Sequence, residues 1–245
     1  MTHAHFFLPP DRWQQGGLVL EGEEAKHCRQ VTRHREGDTV VVFDGRGRKA
    51  VARIASMHGG EVQLDVQSQS VVSAPACSIT LVQGIVKGDT MDWIVEKAVE
   101  LGVQRIVPVT AQRSIVRLDA ADAAKKQAKW QRVALEACKQ CGQAWLPEVS
   151  LPVSVEKACA LTASAELRLT ASLEAGALSL KQLRPAASVA SAALAIGPEG
   201  DFTEAEYDRL RTAGWQPWSL GNLVLRSETA AICALSILGY ELRPD

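Results

Sequence analysis

From Cys77 onward, short apolar runs alternate with longer segments whose apolar residues recur every three or four positions. Few folds accept that rhythm. The three-to-four spacing suits a helix with one buried face, and an unbroken apolar run suits a strand covered on both sides. Strands that alternate with helices wind into an α/β domain with a mainly parallel sheet. Strands are expected at 79–82, 105–109, 167–170, 192–196 and 218–220. The first helix carries Met91, Ile94, Val95, Ala98 and Leu101 on one stripe and ends at Gly102. Further helices are expected at 120–141, 178–183, 203–213 and 228–242.

The first 72 residues read as short strands between tight turns. Thr39-Val40-Val41-Val42-Phe43 is β-rich, and Asp44-Gly45-Arg46-Gly47 is a hairpin signal. Ala50, Ala52 and Ile54 then alternate with basic positions. Gly59-Gly60 turns the chain again before Val62, Leu64 and Val66. This pattern predicts a small β-barrel over 1–72, a polar linker over 68–75, and an α/β domain over 73–245.

Apolar residues make up 47% of the 245, enough for a real core, and the net charge is −1. Global charge therefore gives no case for nucleic acid, but local charge does. Residues 26–53 hold eight basic residues against three acidic ones, and residues 104–132 hold seven against two, a net +5 each. Two such zones in a neutral chain point to an anionic partner. No apolar run is long enough to span a membrane, and the N-terminus does not read as a signal peptide. The six scattered cysteines fit reduced cytoplasmic thiols. Cys138 and Cys141 fall in a helical pattern with no second such pair, so a buried helix face is expected rather than a metal site.

Two loops carry the chemistry. Ala195-Ile196-Gly197-Pro198-Glu199-Gly200-Asp201-Phe202-Thr203 leaves a strand and enters a helix. Thr203 and Glu206 have the spacing of a capping box, which gives Glu206 a structural task. Glu199 precedes the cap, at the strand end where open α/β sheets bind ligands. The loop lacks a phosphate-binding glycine fingerprint, so an apolar, partly cationic ligand suits it better. The second loop, Leu220-Gly221-Asn222-Leu223-Val224-Leu225-Arg226-Ser227, offers an apolar wall followed by Arg226, with Ser227 expected as the helix N-cap.

The segments GPEGDFTEAE, LGNLVLRSETA, KGDTMDWIVEKAVELGVQRIVPV and KQCGQAWLPEV resemble the E-type small-subunit ribosomal RNA methyltransferases. These are uracil-N3 methyltransferases of the SPOUT superfamily. LEGEEAKHCRQVTRHREGD and VVFDGRGR resemble that family's PUA-like barrel. The chain departs from the family pattern at Asp201, where a second glycine is usual, and at Val31-Thr32-Arg33, where Val-Leu-Arg is usual.

The resemblance implies a PUA-like β-barrel followed by a knotted parallel-sheet methyltransferase domain. It further implies an S-adenosylmethionine cofactor, no metal, and a cytoplasmic homodimer acting on 16S ribosomal RNA in the small subunit. Carried over by position, the cofactor lies against Thr170, Leu173, Ile196, Gly197, Pro198, Glu199, Gly200, Leu220, Gly221, Asn222 and Leu225. Arg226 is expected to stabilise the uracil anion or a neighbouring phosphate. Glu199 is expected to act as base or to orient Arg226. Arg29, Arg33, Arg46 and Arg48 in the barrel, with Arg113 and Arg117 beyond it, are candidate RNA contacts. The rival readings are a ribose 2′-O-methyltransferase and a non-catalytic RNA-binding assembly factor.

Overall fold

The computed structural model describes residues 3–13, 17–183 and 188–242. The chain divides into two compact units. One comprises Met1–Ala74 with Leu135–Leu146, the other Pro75–Ala134 with Pro147–Asp245.

In the first unit, strands β1 (His5–Phe7), β2 (Leu18–Leu20), β3 (Thr39–Phe43), β4 (Arg48–Ser56) and β5 (Val62–Val71) form one sheet in the order β1-β3-β4-β5-β2. Only β1 and β3 pair in parallel. Two register shifts between β4 and β5 bend the ladder, so the sheet curls into a half-barrel. The alternation read along 50–54 is real: Ala50, Ala52 and Ile54 are buried beside Val62, Leu64 and Phe6. The β3–β4 turn is closed by buried Asp44. One carboxylate oxygen accepts the Arg46 and Arg48 amides at 2.7 and 3.0 Å, and the other accepts Arg48 Nε at 2.7 Å.

Two expectations fail here. Residues 22–31 are not strand but helix: α1 (Gly22–Lys26) runs into a wider π-helical turn, His27–Val31. Ala25 and Cys28 face the core, which a strand reading of this polar segment could not see. Residues 68–71 are not linker. They extend β5 and pair with Arg48–Val51, so the backbone ladder outweighs their small polar side chains.

In the second unit, β6 (Ser78–Gly84), β7 (Arg105–Val109), β8 (Glu148–Val149), β9 (Leu167–Ala171), β10 (Ser191–Ile196) and β11 (Gln216–Trp218) form a wholly parallel sheet. The order is β11-β9-β10-β6-β7-β8. Successive strands step outward from β6 through β7 to β8. The later strands lie on the other side, so the winding reverses between β6 and β10, the place where such sheets leave a crevice. Helices α2 (Thr90–Glu100), α3 (Ala120–Cys141), α4 (Val155–Leu161), α5 (Leu180–Leu183), α6 (Glu204–Thr212) and α7 (Ser227–Leu242) separate and follow the strands. The last turns of α3 belong to the first unit.

The central strand β10 is buried throughout from Ala192 to Ile196, which explains its apolar sequence. On one side, Ala193 and Ala195 pack with Tyr207, Leu210 and Trp215. α2 packs against α7, and α7 against β10. The α6 capping box is fully formed, and Gly102 sits at φ +74 just past α2. Cys138 is buried but Cys141 is exposed, so only half of that pair joins the buried face. Burial pushes the Cys138 thiol up to about 12, with Cys141 adding to the shift. Among the described residues, no helix is long and apolar enough to cross a membrane, and no group of three His, Cys, Asp or Glu could hold a metal ion.

Candidate functional site

The carboxyl ends of β6, β9, β10 and β11 open into a cleft of about 580 Å³. Its walls come from four loops: Lys87 and Thr90, Ala171 to Leu173, Ile196 to Glu199 with Asp201, and Leu220 to Ala230 without Asn222 and Thr229. The two loops singled out in the sequence therefore meet, although they are far apart along the chain.

Close backbone approach holds them there. A Cβ built on Gly84, at the end of β6, would lie 2.4 Å from Pro198 N and 2.6 Å from Pro198 Cδ. Real Cβ atoms essentially never come so near, so glycine is required where the two strand ends meet. A side-chain relay locks the same crossing. Gln83, wholly buried on β6, donates through Nε2 to Gly84 O and to Ser227 Oγ, both at 2.9 Å. Ser227 Oγ in turn donates to Gly197 O at 2.6 Å. Ser227 is thus the first residue of α7 and serves as a bridge between three strand or helix ends. It is not the N-cap that the sequence predicted.

Pro198 to Asp201 form a tight turn, closed by the Asp201 amide on Pro198 O at 2.9 Å. Glu206 supports the turn from below. Its Oε2 accepts the Thr203 amide at 2.8 Å and the Thr203 hydroxyl at 3.0 Å, while Oε1 accepts the Gln112 amide at 2.8 Å. The structural task read from the capping box is therefore wider than a helix cap. Glu199 lies on the cleft side, where Oε1 accepts the Lys87 amide at 3.0 Å.

Of the residues expected at the cofactor, Leu173, Ile196, Gly197, Pro198, Glu199, Leu220, Gly221 and Leu225 line the cleft. Thr170, Gly200 and Asn222 do not. Thr170 is buried within β9, one residue short of the lining. Gly200 faces Arg113, whose Cβ and O lie 3.0 and 3.1 Å from where a Gly200 Cβ would be. Asn222 sits on an exposed turn outside the lining. Leu223 and Val224 line the cleft but are 76% and 80% exposed, so they form its rim rather than a dry wall.

Arg226 also lines the cleft, is exposed, and makes no ion pair or side-chain hydrogen bond among the described residues. It does not pair with Glu199 or Glu228. Lys87, Thr90, Asp201, Glu228 and Ala230 line the cleft but were not among the residues expected at the cofactor. The KGD segment before α2 was the available signal for Lys87, since it follows a strand just as the other two loops do.

The arginines expected at RNA divide into two groups. Arg29, Arg33 and Arg46 are exposed, and their side chains make no ion pair or hydrogen bond among the described residues. The others are engaged. Arg48 pairs with Asp44 and lies 5.1 Å over the Trp13 ring. Arg113 donates to Gly200 O and Phe202 O at 3.3 and 3.4 Å, and Arg117 donates to Gln112 O at 2.9 Å.

A parallel α/β domain with a ligand cleft at its strand ends, accompanied by a curled β-domain, defines a two-part binding protein or enzyme. Comparison with known proteins narrows the class. Residues 73–239 match the RNA methyltransferase domain, and residues 20–67 match the RNA methyltransferase PUA domain. A ribosomal RNA small subunit methyltransferase E from Synechocystis is 31% identical over 94% of this chain and 75% of its own. A methyltransferase of Legionella pneumophila, solved in complex with the bound cofactor SAM, superposes with a TM-score of 0.89 at 31% identity over 98% of both chains. A ribosomal RNA small subunit methyltransferase E from Neisseria gonorrhoeae, bound to S-adenosyl methionine, gives 0.88 at 30% identity, again over 98% of both. The chain belongs to the RNA methyltransferase family, and within it to the E-type ribosomal RNA methyltransferases.

Proposed function

We propose that this chain transfers a methyl group from S-adenosylmethionine to N3 of a uridine in 16S ribosomal RNA. The observation that carries this reading is the make-up of the cleft. Leu173, Ile196, Leu220 and Leu225 offer apolar surface for a flat base, and Glu199, Asp201 and Glu228 offer carboxylates to a cation. Arg226, which has no ion pair among the described residues, lies beside them. The volume suits one nucleoside-sized ligand. These residues fit the cofactor, which when bound supplies an electrophilic methyl on a cationic sulfur.

The chain's own residues have two further tasks. The uracil N3 proton sits on the Watson–Crick edge, so the base must be unpaired or turned out of its stack before it can enter. Loss of that proton leaves an anion shared with the flanking oxygens. Arg226 is the proposed stabiliser of that anion, a reading supported by its position on the cleft and by a guanidinium that makes no ion pair or hydrogen bond among the described residues. Glu199 is the proposed base. Oε1 is held by the Lys87 amide, and Oε2 has no partner among the described residues. With no ion pair between Glu199 and Arg226, the role of orienting Arg226 loses support. Arg29, Arg33 and Arg46 are proposed to meet RNA phosphates, since they are exposed and make no ion pair among the described residues.

The test is methyl transfer from labelled cofactor to small ribosomal subunits and to free RNA, followed by nucleoside analysis. N3-methyluridine is expected. Label on a ribose, or none at all, would overturn the assignment. Arg226→Ala is expected to lose turnover by roughly a hundredfold while cofactor affinity stays near normal.

A further inference from the structure

Asp201 occupies a backbone position that favours glycine. Its φ is +60, in the left-handed region, where Asp and Asn are the commonest substitutes because their short polar side chains can bond locally. A glycine would satisfy the turn without steric strain. The acid therefore calls for a reason beyond backbone shape, and its surroundings provide one.

One oxygen of the carboxylate is pinned. Oδ1 accepts the Phe202 amide at 2.8 Å and the Tyr207 hydroxyl at 2.8 Å. Tyr207 is buried and stacked edge-on against Phe202 at 5.7 Å. Burial first, and the Asp201 charge second, raise the Tyr207 pKa, so the hydroxyl stays a donor. Gly197 makes room for this arrangement, because a Cβ there would meet Oδ1 at 2.6 Å. The other oxygen, Oδ2, accepts no hydrogen bond among the described residues, and Asp201 lines the cleft. A negative charge held by two donors through one oxygen, with the second oxygen uncommitted, is a preorganised acceptor for a cation.

We infer that Asp201 is a cofactor-binding residue of this chain, pairing through its carboxylate with a cationic centre of S-adenosylmethionine, and that Tyr207 positions it. The inference rests on the cofactor reading above. Two centres share the required chemistry, the sulfonium and the α-ammonium, and the choice of ligands separates them.

Asp201→Asn is the discriminating variant. It keeps the Oδ1 acceptor and the tolerance for a left-handed backbone while removing the charge. Binding is measured by calorimetry with S-adenosylmethionine, with S-adenosylhomocysteine, which lacks the sulfonium, and with methylthioadenosine, which lacks both cations. A loss of about tenfold for S-adenosylmethionine is expected, with methylthioadenosine unchanged. A parallel loss for S-adenosylhomocysteine assigns the partner as the ammonium, and an unchanged S-adenosylhomocysteine assigns it as the sulfonium. Tyr207→Phe is expected to give a smaller loss in the same order of ligands. If Asp201→Asn binds S-adenosylmethionine normally, or weakens methylthioadenosine equally, Asp201 serves the turn alone and the inference is wrong. A parent protein that binds no S-adenosylmethionine would instead remove the proposed function itself.

Discussion

Replacing Gly84 by alanine probes the crossing that builds the cleft. The added Cβ would stand 2.4 Å from Pro198 N, 2.6 Å from Pro198 Cδ and 2.9 Å from the Gly197 carbonyl carbon. Relaxed contacts between such atoms lie at about 3.5–4.0 Å, so the shortfall is about 1 Å on three atoms at once. None of the three ends a flexible side chain; all belong to backbone or to a proline ring. Strain of this kind costs about 1–3 kcal/mol, and the rigidity of the site argues for the upper end. Gly84 is not in the left-handed region, so no backbone-angle penalty is mixed in. Gly59→Ala is the contrasting control. Its Cβ would meet nothing within 4 Å, but its φ is +59, so about 1–2 kcal/mol of purely conformational cost is expected there. Urea unfolding and S-adenosylmethionine titration should then disagree in a defined way. Both variants lose stability, but only Gly84→Ala loses cofactor affinity, because only it displaces the Pro198 turn. A Gly84→Ala protein with parental stability and parental affinity would refute the steric account of the cleft.

The triple variant Arg29→Ala, Arg33→Ala, Arg46→Ala should bind RNA more weakly. Each lost phosphate contact should reduce the salt dependence of affinity by about one in log–log slope, whereas Arg48→Ala should lower stability of the first unit instead. Under native conditions Cys141, being exposed, should react with a thiol reagent well before Cys138. The Cys138 thiol, held at about 12 by burial, should react only on unfolding, and mass spectrometry of the labelled protein checks the order.

Much of the architecture is legible locally. The strand Arg105–Val109 and the helix Ala120–Cys141 occupy the residues their apolar spacing predicted. The α6 cap follows from Thr203 and Glu206 three residues apart. Period, turn residues and caps act over a few positions, so the chain displays them without its neighbours. The misreadings arise where a partner decides. Residues 68–71 become strand because β4 offers them a ladder, and residues 22–31 become helix because Ala25 and Cys28 can reach the core only that way.

The cleft was legible only in outline. Family motifs pointed to the Pro198 and Leu225 loops, but not to which atoms would be free. Arg226 and Arg113 look alike in sequence, yet one lines the cleft without an ion pair among the described residues and the other ties down Gly200 and Phe202. Gln83 and Ser227 stand 144 positions apart and still share a hydrogen bond. Local composition determined that this chain forms a curled β-unit and a parallel α/β unit. Which polar groups are spent on the fold, and which remain for a ligand, depends on long-range packing, because a hydrogen bond counts only the distance in space.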